Sequence, residues 1–382
     1  MMILRRKHMI EMALLALLVP CGLLYGIKLF AFPPSGKYQV SDTRSIDESR
    51  GKNNISLDLR GETNPSSGIF GLFSRSADEE STGAPTKGLK ILLLSSVGRS
   101  GSSLLGELLA QMPNTLYFFE PLMYFQKRTA QGVQPTTSIS ILRNIYSCKW
   151  TAKDRPWGSY NAQRQLARQN GHLPVCSYGS GENILHCLKN TCLMNTNIVI
   201  KVIRMRVKWL DTLLSDGESG IKVIHLVRDP RGSFLSLKKQ VMAQRNPEEW
   251  CPAILQDVKL LNFTKSRFPD SFTSVKYEDF CRDPEGVATN LWKFISGNSQ
   301  ASLPRPWQDY LKVHTDPAHS KPKNKFGTLR NTHRQVQAWR RDISEGLLRK
   351  VENACGEVIH VLGHRRFYDL RDVRNLSIPL VC

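Results

Sequence analysis

Acidic residues are scarce in this 382-residue chain: 33 Asp and Glu stand against 53 Lys and Arg, a formal net charge of +20. A field of one sign draws in polyanions, and because the excess is spread through the region beyond Gly88, it does not come from an appended basic tail. No G-x-x-x-x-G-K-[ST] string occurs around Gly98, which sets aside a P-loop kinase or NTPase. Internal repeats are absent, so neither a solenoid nor a propeller is expected. Cys187 and Cys192 lie near His186, yet their spacing matches no common zinc finger, and no metal is expected. Between Pro33 and about Gly88 neither a period of 2 nor one of 3.6 residues is sustained; rich in Ser, Gly, Asp, Arg and Pro, this stretch reads as a flexible stem.

Two stretches more than a hundred residues apart are the most informative of what is present. Lys90 to Leu109 (KILLLSSVGRSGSSLLGELL) and Ile221 to Leu237 (IKVIHLVRDPRGSFLSL) each begin as an apolar strand, break into a small-residue or arginine-bearing loop, and continue as a helical pattern. Such a junction aims free backbone N–H groups and the positive end of the helix dipole at one point. Gly98 and Gly101 let backbone approach a ligand, Ser100, Ser102 and Ser103 offer hydroxyls, and Arg99 adds a fixed charge. In the second stretch Arg228 and Arg231 flank Asp229-Pro230; Pro230 starts the helix, Asp229 caps it, and Ser236 follows within two turns. Two anion loops fit a nucleotide phosphorylated at both ends. Arg231 reads equally as phosphate contact or surface charge.

The pair resembles the sulfotransferases that use 3′-phosphoadenosine 5′-phosphosulfate (PAPS), most closely the membrane-bound carbohydrate 6-O-sulfotransferases of the galactose, N-acetylglucosamine and N-acetylgalactosamine type. The resemblance runs from about Leu89 to Val381, through FFEP (Phe118 to Pro121), KYEDF (Lys276 to Phe280), KFGTLRN (Lys325 to Asn331), AWR (Ala338 to Arg340) and the ending RNLSIPLV. It implies an α/β, P-loop-like three-layer fold with a central, mainly parallel sheet. It also implies that Arg99, Ser100, Gly101, Ser102 and Ser103 hold the 5′-phosphosulfate, that Arg228 and Ser236 hold the 3′-phosphate, and that Phe326, Thr328 and Arg330 close over the nucleotide. Arg99 and Glu120 become the catalytic candidates: Arg99 for charge on the leaving oxygen, Glu120 as general base at a strand end, its rival role being an ion pair with a neighbouring arginine. Lys201 and Arg204, ending another strand, line the acceptor side or are solvated charges. Trp339 is read as core packing beneath the nucleotide loop.

The N-terminus sets the compartment. Ala13 to Phe32 is an apolar run of about 20 residues, long enough to span a bilayer, preceded by Arg5, Arg6 and Lys7. The positive-inside rule then makes residues 1–8 a cytoplasmic tail, 9–32 a transmembrane signal-anchor, 33–87 a lumenal stem and 88–382 the catalytic domain. A cleaved signal peptide is less favoured, because the run is long and lacks a clean cleavage site. Of nine cysteines, eight follow the anchor, an even set that suggests disulfides in an oxidising lumen without fixing their pairing. Sequons at Asn54, Asn262 and Asn375 fit the secretory route. The expectation is a Golgi type II membrane sulfotransferase with a glycan or glycosaminoglycan acceptor and no nucleic-acid partner, for which a homo-oligomer is compatible; the alternatives are a sulfotransferase for another lumenal acceptor and a non-catalytic lumenal glycan-binding protein. Expected strands are 89–96, 115–118, 197–203, 221–227 and 271–276; expected helices are 102–111, 230–243, 248–268, 284–296 and 343–362. The segment from Cys148 to Asn195 is expected to be an irregular insertion.

Overall fold

A computed structural model describes residues 88–126, 133–151, 181–215, 220–240, 246–315, 327–329 and 331–381. The expected membrane span, stem and first sequon lie outside these residues. Among the described residues, no helix is long and apolar enough to cross a membrane.

Five strands form one sheet: β1 (Lys90–Ser95), β2 (Thr115–Phe119), β3 (Asn197–Val202), β4 (Ile221–Val227) and β5 (Phe272–Lys276). All pair in parallel, in the order β2-β3-β1-β4-β5. The near-continuous apolar runs follow from burial on both faces, which parallel strands require. Leu92 is in register with Ile200 on one side and Val223 on the other. These point into one core with Ile139, Leu142 and Ile145 of α2 (Pro135–Tyr146). Ile91 and Leu93 point the opposite way, against Leu104, Leu105 and Leu108 of α1 (Ser102–Leu109). Helices thus cover both faces, which gives the expected three-layer α/β fold.

From β1 the chain runs outward to β2 and β3, whereas from β4 it runs the other way to β5. The crevice between the carboxyl ends of β1 and β4 is therefore the switch point where open parallel sheets bind ligands. Both anion loops open there.

All five strands match expectation within about two residues at each end. The helices match less well. The stretch 248–268 is two helices, α5 (Pro247–Lys259) and α6 (Leu261–Arg267); α7 (Tyr277–Arg282) and α8 (Pro284–Ser296) follow β5, and the unanticipated helices include four of 11 residues or more: α2, α3 (Gly181–Met194), α9 (Arg305–Thr315) and α10 (Thr332–Asp342). The segment after Cys148 is accordingly not irregular throughout. A disulfide joins Cys148 to Cys192 of α3, and a second joins Cys251 of α5 to Cys355 of α11 (Glu345–Val361). Cys187 is also disulfide-bonded. Cys281 is a buried free thiol, so the cysteines beyond residue 32 do not all pair.

Arg231 is not a surface charge. Its side chain is 0% exposed at the start of α4 (Pro230–Lys238), where Asp229 caps the helix by accepting from the Arg231 backbone N–H. The guanidinium donates to both Asp229 oxygens (Nε to Oδ1 3.0 Å, Nη2 to Oδ2 2.8 Å), to Glu352 Oε1 on α11 (2.6 Å) and to the Arg365 carbonyl (2.8 Å). Trp339 and Phe367 lie against it, their ring centroids 4.5 and 5.4 Å from its central carbon. One cation so ties the second loop to α10, α11 and the C-terminal segment. Arg340, equally buried, donates to the carbonyls of Val373, Ile378, Asp372 and Asn375, so AWR and the RNLSIPLV ending meet in space.

Removing one partner of a buried ion pair strands the others at a cost of about 3–5 kcal/mol. Arg231→Ala leaves the Asp229 and Glu352 carboxylates buried together, and a loss of that order is expected in urea unfolding of the full-length protein. An unshifted midpoint would show that the knot adds nothing to stability.

Candidate active site

The β1–α1 loop is built around two left-handed residues, Arg99 (φ 65) and Gly101 (φ 92). Gly101 is required for space as well, since a Cβ there would lie 2.3 Å from the Tyr277 ring. That ring also stacks under the Arg228 guanidinium, 4.2 Å away, so a single tyrosine at the end of β5 seats both loops. Arg228 Nη1 donates to the Arg99 carbonyl (2.6 Å), and Arg99 Nε donates to Ser236 Oγ (3.1 Å). Arg99, Arg228 and Ser236, from two motifs over a hundred residues apart, meet at one point, each partly exposed. Gly101 and Ser103 also reach the surface; Ser100 and Ser102 are buried, and the Ser100 hydroxyl lies 2.8 Å from that of Ser95.

Beneath this loop lies a support that sequence reasoning missed. Arg206 Nη1 donates to the Ser96 carbonyl (3.2 Å) and to Asp257 Oδ2 (3.1 Å) of α5, while the Val207 N–H donates to Asp257 Oδ1 (2.9 Å). The Ser96 hydroxyl is 2.8 Å from His225 Nε2. Burial pushes His225 down to about 4, which keeps the imidazole neutral. The second loop is supported in a similar way: the Asp229 N–H donates to Glu278 Oε1 (3.0 Å). Burial, followed by the nearby Asp229 charge, pushes Glu278 up to about 7.

Glu120 follows β2 directly, in left-handed backbone (φ 56), and its N–H donates to the Lys201 carbonyl (2.8 Å). The carboxylate is 1% exposed and lies between two cations: Lys201 Nζ donates to Oε1 (2.5 Å) and Arg204 Nη1 to Oε2. Burial alone would raise its pKa, but Lys201 and Arg204 more than offset this, and the group sits below the ordinary carboxylate range. The neighbouring arginine of the ion-pair alternative is therefore Arg204, joined by Lys201, and neither is a solvated charge. The register Phe119↔Lys201 is the signal that could have found them, because it sets the residue after Phe119 beside the end of β3.

Thr328 lies in the described segment 327–329, and its hydroxyl contacts Glu107 of α1 and His314 of α9. Phe326 and Arg330 lie outside the described residues. Trp339 is 3% exposed, packed on Arg231 and Phe367, as expected of a core residue. Among the described residues, no group of three or more His, Cys, Asp or Glu could hold a metal ion.

Comparison with known proteins agrees with this geometry. The description "Sulfotransferase family" matches residues 219–297, which include the whole second loop. Carbohydrate sulfotransferase 5 of Mus musculus is 26% identical over 340 residues, covering 76% of this chain and 84% of that protein. Carbohydrate sulfotransferase 1 of Homo sapiens is 26% identical over 367 residues, covering 81% and 88%, and carbohydrate sulfotransferase 6 of Homo sapiens is 26% identical over 355 residues, covering 81% and 89%. Among solved structures, the sulfotransferase domain of the Synechococcus PCC 7002 olefin synthase aligns at a TM-score of 0.39 and 19% identity, over 72% of this chain and 96% of that one. With several relatives matched over most of their length and the second loop inside the matched family segment, the chain is similar to the carbohydrate sulfotransferases and is a sulfotransferase enzyme.

Proposed function

We propose that the chain transfers a sulfuryl group from PAPS to the 6-hydroxyl of a galactose or N-acetylhexosamine residue in a glycan or glycosaminoglycan, in the Golgi lumen. It is held to the membrane by residues 9–32, with 33–87 as stem and 88–382 as catalytic domain. The observation that carries this reading is the meeting of Arg99, Arg228 and Ser236 at the switch point, where two strand-to-helix junctions present cations and hydroxyls side by side. A nucleotide anionic at both ends matches two such junctions; a single phosphate does not use both.

The chemistry is an in-line displacement at sulfur, in which position and electrostatics carry most of the acceleration. A bond forms from the sugar oxygen to sulfur as the bond from sulfur to the bridging oxygen breaks, leaving the bisphosphate nucleotide. Arg99, with the Gly101 to Ser103 backbone, holds the 5′ end and stabilises charge on the departing oxygen; Arg228 and Ser236 hold the 3′-phosphate. Phe326 and Arg330 belong to the nucleotide side, and Thr328 between them contributes from behind, through Glu107 and His314. Glu120 accepts the sugar hydroxyl's proton. Its depressed pKa keeps it ionised at the outset, as a base must be. Its basicity rises when Lys201 and Arg204 turn part of their charge toward the donor's anionic groups.

Incubating the full-length protein in detergent with radiolabelled PAPS and a panel of keratan, chondroitin and N-glycan acceptors should place label on a 6-hydroxyl. Glycan binding without any transfer would overturn the enzymatic reading in favour of a lectin-like one. Arg228→Ala or Ser236→Ala should weaken PAPS binding by about 1–3 kcal/mol, through loss of a hydrogen bond to phosphate. Unchanged donor affinity in either folded variant means that the second loop is misassigned. Glu120→Gln should cut turnover of the folded protein by about 100- to 10,000-fold while PAPS still binds. Its melting temperature should also fall, because two nearly buried cations lose their carboxylate. Loss of donor binding instead would make Glu120 a residue that only positions its cations, and full activity would sink both roles.

A further inference from the structure

A second cluster of polar side chains lies away from the reacting groups, where three separate parts of the chain converge. Glu107 sits on α1, five residues after the helix begins at Ser102. Tyr310 and His314 are one turn apart on α9, their rings stacked with centroids 3.9 Å apart. Thr328 comes from the short segment ahead of α10. The Tyr310 hydroxyl donates to Glu107 Oε2 (3.0 Å), and the Thr328 hydroxyl donates to the same oxygen (2.7 Å). The Thr328 oxygen is also 3.0 Å from His314 Nδ1. A hydroxyl has one proton, and this one goes to Glu107, so His314 Nδ1 must carry a hydrogen and donate to Thr328. That donation holds whether the ring is neutral or charged. Burial lowers the His314 pKa and favours the neutral ring.

What this clamp joins gives it significance. Its near end is α1, the helix that grows out of the first anion loop. Its far end leads into α10 through Asn331, whose side chain caps that helix by accepting from the Arg334 N–H (3.1 Å). α10 packs on α4, the helix of the second loop. The contact is close: a Cβ on Gly232 would lie 3.3 Å from the Trp339 ring and 3.2 Å from the Arg228 side chain. Thr328 and Asn331, three residues apart, therefore link the two helices that open at the two loops: Thr328 is pinned to α1 by Glu107, and Asn331 caps α10, which packs on α4.

We propose that Glu107, Thr328 and His314 form a spacing clamp that fixes the distance between the two anion loops, and so are positioning residues for a ligand carrying phosphate at both ends. In this account the Thr328 hydroxyl serves the protein, and its contribution to donor binding is indirect. The inference rests on the PAPS reading above and deepens it.

The test separates a two-ended ligand from a one-ended one. Full-length Glu107→Gln, Thr328→Val and Thr328→Ser proteins are titrated with adenosine 3′,5′-bisphosphate and with adenosine 5′-phosphate, and melting temperatures are recorded. The bisphosphate should bind roughly tenfold more weakly to Glu107→Gln and Thr328→Val, the scale of one lost charge-assisted hydrogen bond. Adenosine 5′-phosphate, which spans no gap, should bind these variants as it binds the wild type, and Thr328→Ser should restore bisphosphate affinity. Equal weakening of both nucleotides, or of neither, overturns the clamp. So does an unrestored Thr328→Ser variant that still melts like the wild type. A wild-type protein that binds neither nucleotide defeats the PAPS reading itself, an outcome distinct from failure of the clamp.

Discussion

The parallel pairing of β1 with β4 is the constraint on which the site depends. It sets the carboxyl ends of two strands side by side although more than a hundred residues separate them, and it does so in a fixed register from Lys90↔Ile221 to Ser95↔Leu226. Only with that register can Arg228 reach the Arg99 carbonyl and Arg99 reach Ser236. Tyr277 at the end of β5 and the Asp257–Arg206 pair from α5 then hold the loops from outside and below.

Charge in this region is handled by pairing more than by solvent. Asp229, Glu352 and Arg231 form one buried knot, and Glu120 with Lys201 and Arg204 forms another. Burial costs each charge several kcal/mol, which dense hydrogen bonding offsets. The contrast with Arg99 and Arg228 is informative. Those two stay partly exposed, as suits groups proposed to meet an anion.

The strands were legible because a parallel strand buried on both faces leaves a plain signature, an apolar run ended by small or turn-forming residues. The run ILLL in β1 and the whole of β4 read that way. Missed helices had weaker signals. α10 offers only Val336 and Trp339 as buried apolar anchors among polar residues, and α2 opens with Pro-Thr-Thr-Ser, which resembles a turn. The break between α5 and α6 falls at Leu260, with no Gly or Pro to announce it. The anion loops were readable as loops, but the burial of Arg231 and the partners of Glu120 were not. A charge is buried only by virtue of its counter-charges, and those lie 121 residues away for Arg231–Glu352 and 81 for Glu120–Lys201. Composition and local period carry no trace of such pairs.

Four non-glycine residues in the described chain adopt left-handed backbone, and two of them, Arg99 and Glu120, are site residues. An L-residue held in that region costs of order 1 kcal/mol or more, a strain that the surrounding structure must hold in place. Glycine would relax the backbone at either position and remove the side chain that the site uses. Selection or engineering for heat resistance alone would therefore drift toward glycine or asparagine at Arg99, at the expense of its proposed role, whereas at Glu120 the two buried cations that it pairs oppose that drift. Thermostable variants that keep activity have to gain their stability at a distance, in the α5–α11 layer or around the C-terminal turn that Arg340 gathers.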